Sequence, residues 1–187
     1  MKMIKSIAIV LFTGFVMSVS AQTKTVNTEK SMLNWKGHKV VGFHEGTINL
    51  KEGSLVFEKD KLKGGNFTVD MTTISSTDMS GKGKERLDGH LKNQDFFDVE
   101  NHPESTLIFK KVKEASKGVY AVEADLTIKG IKKPVTFTME VKGNTATTSV
   151  QIDRTQYDIK YRSASIFPDL ADKAIKDEFD INATIVF

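Results

Sequence analysis

Tyr120-Ala121-Val122-Glu123-Ala124-Asp125-Leu126-Thr127-Ile128-Lys129-Gly130 decides the fold class. Tyr120, Val122, Ala124, Leu126 and Ile128 alternate with Ala121, Glu123, Asp125, Thr127 and Lys129. Successive side chains of a strand point to opposite faces, so this run has one apolar face and one wet face. Beyond Gly130 the pattern resumes as Val135, Phe137, Met139 and Val141. Lys129-Gly130 between the two runs marks a hairpin turn, because glycine takes positive φ without steric cost.

The same alternation extends outward in both directions. Towards the N-terminus it appears as Leu33 and Trp35, Ile48 and Leu50, Leu55 and Phe57, then Phe67, Val69 and Met71, then Leu107 and Phe109. Towards the C-terminus it appears as Val150 with Ile152, and as Ile181, Ala183, Ile185 and Phe187. Lys51-Glu52-Gly53, Lys63-Gly64-Gly65 and Lys142-Gly143-Asn144 supply further expected turns. Apolar faces of such strands meet across a sandwich or inside a closed barrel. Closure also removes the exposed strand edges that invite aggregation. About eight strands enclose an interior that is either filled by side chains or able to hold one small ligand. The expectation is an all-β antiparallel barrel.

Two segments depart from period two. Residues 82–92 place Leu87 and Leu91 four apart among charges, the spacing of a short helix. Residues 171–176, after Pro168, fit a single helical turn. Phe96 and Phe97 follow the first helix and cannot both face one side of a strand. Either one ring reaches inward while the other packs under the helix, or both plug the core.

The N-terminus reads as an export signal. Lys2 and Lys5 precede the almost wholly apolar residues 7–19, and Val19-Ser20-Ala21 provides small residues before Gln22. Thirteen residues are too few for a transmembrane anchor, which needs roughly 20. Residues 1–21 are therefore expected to be a signal peptide cleaved near Ala21, and residues 22–187 a single domain without a transmembrane anchor. Of the 27 basic side chains, Lys2 and Lys5 leave with the signal, so 25 basic residues face 24 acidic ones. That balance gives no electrostatic footprint for nucleic acid. The absence of cysteine removes thiol catalysis, thiolate metal sites and lipid attachment through an N-terminal cysteine.

No nucleophile elbow, phosphate loop or dinucleotide glycine pattern is present. His38, His44, His90 and His102 do not fall at the spacing of a helical ligand pair, so no metal is expected. Asp177 with Glu178 and Asp169 with Asp172 read as solvated surface. Phenylalanine dominates the aromatics, with 12 Phe against 1 Trp and 3 Tyr. It offers apolar area without a hydrogen-bonding demand, which suits an alkyl or isoprenoid chain and an ordinary packed core equally.

Three stretches carry a family resemblance. Glu85-Arg86-Leu87-Asp88-Gly89-His90-Leu91 leads to Asp95-Phe96-Phe97-Asp98-Val99 and His102-Pro103. Asp125-Leu126-Thr127-Ile128-Lys129-Gly130 is followed by Pro134-Val135, and Asp153-Arg154-Thr155-Gln156-Tyr157 precedes the closing strand at 179–187. In this order they resemble the YceI-like family of exported lipid-binding proteins. The resemblance implies a lipocalin-like antiparallel β-barrel of about eight strands with one or two short helices. It further implies a periplasmic or secreted location, no cofactor, no common catalytic activity, and a cavity for a polyisoprenoid or similar long-chain amphiphile. Residues 38–46, His-Lys-Val-Val-Gly-Phe-His-Glu-Gly, depart from the family's polar steps around its Val-Gly-Phe region, which bears on contacts at the barrel mouth.

On this reading the lipid tail lies against Phe43, Phe57, Phe67, Leu87, Leu91, Phe97, Phe109 and Phe137. Arg86, His90 and Arg154 are the candidate partners of a phosphate or quinone head group. An arginine fork fits carboxylate and phosphate alike, so the competing expectation is a structural network with Asp88 or Asp98 around Arg86, and the same holds for Arg154. The structural network is the favoured expectation, since half-buried charges need such pairing. The alternative function is an exported interaction or stress-response module whose barrel is filled and holds no ligand. A barrel enzyme would need a perturbed acid or base, with His90 or Asp88 the candidates. Oligomeric state stays open, a homodimer included.

Overall fold

Paired residues at positive φ set the tightest hairpins: Lys59 with Asp60, and Lys129 with Gly130. This backbone matches the turn to the right-handed twist of the strands it joins. The computed structural model describes residues 21–187. The expected signal peptide falls, but for Ala21, outside the described residues. The elements are β1 (Gln22–Thr25), β2 (Asn27–Lys39), β3 (Phe43–Glu58), β4 (Lys61–Ser76), α1 (Gly81–Lys92), β5 (Glu104–Ser116), β6 (Val119–Ile128), β7 (Ile131–Lys142), β8 (Thr145–Asp153) and β9 (Ile175–Val186).

All ladders between these strands are antiparallel. From β3 the order runs β2, β9, β8, β7, β6, β5, β4, and a further β3–β4 ladder closes the circle. The result is the expected closed eight-stranded barrel. Strand β1 pairs with the far half of β3, so β1 and β2 behave as one interrupted strand along that neighbour.

The two ends of the barrel differ. One carries the short turns β3–β4, β5–β6 and β7–β8. Leu55, Leu62, Val122, Met139 and Ala146 are almost completely buried near it. Phe57 and Phe187 pack there with ring centres 5.4 Å apart, beneath the ammonium of Lys24. The opposite end carries α1, residues 93–103 and the long β8–β9 connection, which holds short 3-10 helices at Arg154–Tyr157 and Pro168–Lys173.

Two expected turns are strand interior. β3 runs through Lys51-Glu52-Gly53, and β4 runs through Lys63-Gly64-Gly65. Leu50 pairs with Val69 and Glu52 with Thr68, so Lys51 is an extra residue that reverses the alternation along β3. Gly53 and Gly65 give up a side chain to neighbours. A Cβ on Gly53 would lie 2.8 Å from Phe67, and one on Gly65 would lie 3.0 Å from Leu55 and from Phe109. The helix expected over 82–92 is α1, whereas the helical turn expected over 171–176 ends earlier because β9 begins at Ile175.

Candidate functional site

The inward rows of the barrel leave a cavity of about 190 Å³. Its wall takes Leu33 and Trp35 from β2, Ile48 and Leu50 from β3, and Phe67, Val69 and Met71 from β4. Leu107 of β5, Leu126 of β6, Val135, Phe137 and Met139 of β7, Val150 of β8 and Ile181 of β9 continue it. Each is the inward member of an alternating run. Leu91 of α1 with Phe96 and Phe97 closes the helical end, so both adjacent phenylalanines reach the cavity. They do so because residues 93–99 form a turn rather than a strand. Phe97 meets Phe179 edge-on at 6.3 Å, and Phe96 lies 5.6 Å from Tyr161.

The cavity reaches the surface between β2 and β9. Gly37 pairs with Phe179 and Lys39 with Ile175, so three β9 residues stand opposite His38 alone. Gly37 presents no side chain to the gap, and exposed Lys176 and Glu178 line it. The His38 ring nitrogen lies 2.7 Å from the Asp180 carboxylate and ties the two strands beside it.

Arg154 is 4% exposed. Its guanidinium donates to the carbonyls of Ile159 (2.7 Å), Lys176 (3.0 Å) and Ile175 (3.1 Å), and lies 3.7 Å from the Asp177 carboxylate. It borders the cavity, yet three of its five N–H donors pin the β8–β9 connection on the barrel. Burial pulls its pKa below the usual arginine value, against the pull of Asp177 and Asp153.

Asp88 fastens α1 to the end of β4. Burial opposes its ionisation, but the backbone N–H and hydroxyl of Ser76, then Lys84 and Ser75, outweigh that and hold the carboxyl down to about 2. A carboxylate so held is a poor general base. Arg86 is exposed on α1, and among the described residues no carboxylate lies within 4 Å of it; Lys84, not Arg86, pairs with Asp88. His90 stands edge-on to Phe96 and Tyr161 at 4.9 and 4.5 Å, with Asp95 at 3.6 Å.

Of the residues expected to meet a tail, Phe67, Leu91, Phe97 and Phe137 share the cavity wall. Phe109 is buried behind them, 5.7 Å from both Phe67 and Phe137. Phe57 belongs to the filled end. Leu87 packs on the core from α1, outside the cavity lining. Phe43 stands outside the barrel, 45% exposed, under the Lys36 ammonium. Sequence reasoning passed over Ser105, although its place two residues before Leu107 puts it on the same inward row. Among the described residues no group of three or more His, Cys, Asp and Glu is placed to hold a metal ion, and no helix is long and apolar enough to cross a membrane.

The profile of the YceI-like domain matches residues 24–187. The chain belongs to the YceI-like family. A UPF0312 protein of Pseudomonas putida is 30% identical over 116 residues, which span 62% of this chain and 58% of that protein. One from Photorhabdus laumondii is 32% identical over 98 residues, 52% of this chain and 48% of its own length. The chain thus spans about half the length of these curated relatives. Among solved structures, Burkholderia cenocepacia BcnA superposes with a TM-score of 0.70 at 21% identity, covering 87% of this chain and 99% of BcnA. A polyisoprenoid binding domain from Saccharophagus degradans, implicated in plant cell wall breakdown, gives 0.57 at 11% identity, covering 90% of this chain and 97% of that domain. At such identities these neighbours speak for the fold. The YceI-like barrel here joins that fold to a cavity with an apolar wall.

Proposed function

We propose that this YceI-like protein is an exported, non-catalytic binder or carrier of a polyisoprenoid or similar long-chain amphiphile. The observation that carries the reading is the cavity itself: aliphatic and aromatic side chains wall it, and it opens beside β9. Burying tail methylenes there contributes about 0.8 kcal/mol each. Such attraction is non-directional, so tail length is read loosely. Membership of the family supports the reading, as does the structural neighbour described as a polyisoprenoid binding domain. The tail lies against Phe67, Leu91, Phe97 and Phe137.

Native mass spectrometry of protein purified without detergent, before and after organic extraction, tests this. A stoichiometric long-chain species released on denaturation is the expected result. Ala183→Phe, which places a ring in the cavity wall without burying charge, should abolish retention while the barrel folds. A folded variant with unchanged lipid content would remove the tail from this cavity. A wild-type protein that carries no lipid and refuses added isoprenoids would favour a filled-barrel interaction module instead.

A further inference from the structure

The cavity wall contains few polar side chains, and all but one of the buried ones are satisfied. Trp35 Nε1 donates to the Thr47 carbonyl at 3.2 Å, Thr148 Oγ1 donates to the Thr138 carbonyl at 2.8 Å, and Arg154 is committed to three carbonyls. Ser105 is the exception. It is 7% exposed, lines the cavity, and its Oγ has no hydrogen-bond partner among the described residues. It is the second residue of β5 and pairs with Val69 of β4, so it lies at the α1 end of the cavity.

A buried hydroxyl without a partner is costly to leave unmet, and a group that enters the cavity and meets it recovers that cost. We propose that Ser105 is the interior hydrogen-bonding point of this site, and that the ligand it selects carries an uncharged oxygen, a hydroxyl or a carbonyl, inside the barrel. The proposal rests on the lipid reading above and sharpens it to a ligand class.

Charge separates the classes. An ionised phosphate or carboxylate drawn into an apolar interior needs a cation or several donors there. The charge of Arg154 already faces the Asp177 carboxylate at 3.7 Å, and Lys176 and Glu178 are exposed at the gap and opposite in sign. One serine hydroxyl satisfies a neutral oxygen and falls far short for a dianion. An alcohol, phenol or quinone oxygen at Ser105 leaves its tail to run towards Phe137 and Met139.

Trp35, the one tryptophan of the chain, lines the cavity and reports on its occupancy by fluorescence. The titrants are geranylgeraniol, geranylgeranyl monophosphate and the saturated hydrocarbon phytane, each delivered from cyclodextrin. One hydrogen bond to a buried hydroxyl predicts that the alcohol binds about fivefold to tenfold more tightly than the hydrocarbon, and more tightly than the phosphate. Ser105→Ala should erase the alcohol's advantage and leave phytane unchanged, while Ser105→Thr keeps it. An alcohol-to-hydrocarbon ratio that survives Ser105→Ala, or a phosphate that binds best, overturns the proposal with the lipid reading intact. Failure of all three to perturb Trp35 or to co-elute with the protein overturns both.

Discussion

Arg154 and Asp88 both stand in the sequence as charged candidates for the site, and the structure gives both the task of holding a connection in place. Three carbonyls around one guanidinium require its planar fork, which an ammonium cannot reproduce. Arg154→Lys should therefore cost about 3 kcal/mol in urea denaturation, with the 154–174 segment losing protection first. A loss within about 0.5 kcal/mol would mean that the fork is dispensable. Asp88 makes a pH-dependent prediction. Its folded carboxyl titrates near 2 against 3.8 for the free group, so it adds stability above pH 3.8 that is lost as pH falls through 2. Asp88→Asn should be weaker than wild type at pH 7 by roughly 1 to 2 kcal/mol, allowing for solvent screening of a partly exposed site. The gap should be mostly closed at pH 2. Urea midpoints at pH 7 and pH 2 for both proteins check it, and a gap that persists at low pH would assign the effect to packing.

Among elements, the strands teach most about what a sequence discloses. Alternation in β6 and β7 was fully legible, because those strands pair without a register shift from Val119–Glu140 to Ile128–Ile131. In β3 the inward residues change from even positions, Ile48 and Leu50, to odd ones, Leu55 and Phe57. The bulge at Lys51 causes the change, and with Gly53 alongside it imitates a turn. Nothing local separates a bulge glycine from a turn glycine, since the deciding contact is with Phe67 on the neighbouring strand. Alternation named the inward rows, but of the eight residues expected at the tail only Phe67, Leu91, Phe97 and Phe137 line the cavity. Period two does not tell which inward side chains fill the barrel and which border the hollow. Ser105 was not legible either, because an unpaired hydroxyl is visible only once its surroundings are known. Two glycines make the distinction measurable. Gly53→Ala drives a methyl to 2.8 Å from the Phe67 ring and should cost about 1 to 3 kcal/mol. Gly89→Ala, inside α1 with nothing within 4 Å of the new methyl, should gain about 0.5 to 1 kcal/mol. Equal effects of the two substitutions in thermal unfolding would deny glycine its packing role in β3.

For the whole molecule, the consequential asymmetry lies between a barrel end filled by its own side chains and an end hollowed for another molecule. Leu55, Leu62, Val122 and Ala146 have almost no exposure at the hairpin end, so local opening there gives up nearly the full packing of the core. Around the cavity each inward side chain lacks partners on one side, and β9 is loosened from β2 by its extra residues. Opening of that half is therefore the cheaper fluctuation in the empty protein. A ligand that binds the closed barrel stabilises it by mass action, and only openings that release the ligand feel the effect. Hydrogen exchange read by mass spectrometry should find residues 104–108, 131–135 and 175–183 exchanging faster than 54–62, 119–123 and 142–147 in the empty protein. With geranylgeraniol at about 100 times its Kd, the first group should slow by up to about a hundredfold. The second group should slow far less, because its openings leave the cavity closed. Equal slowing everywhere would show that the barrel opens as one cooperative unit, and the hollow end would then have no separate freedom through which a long chain could enter.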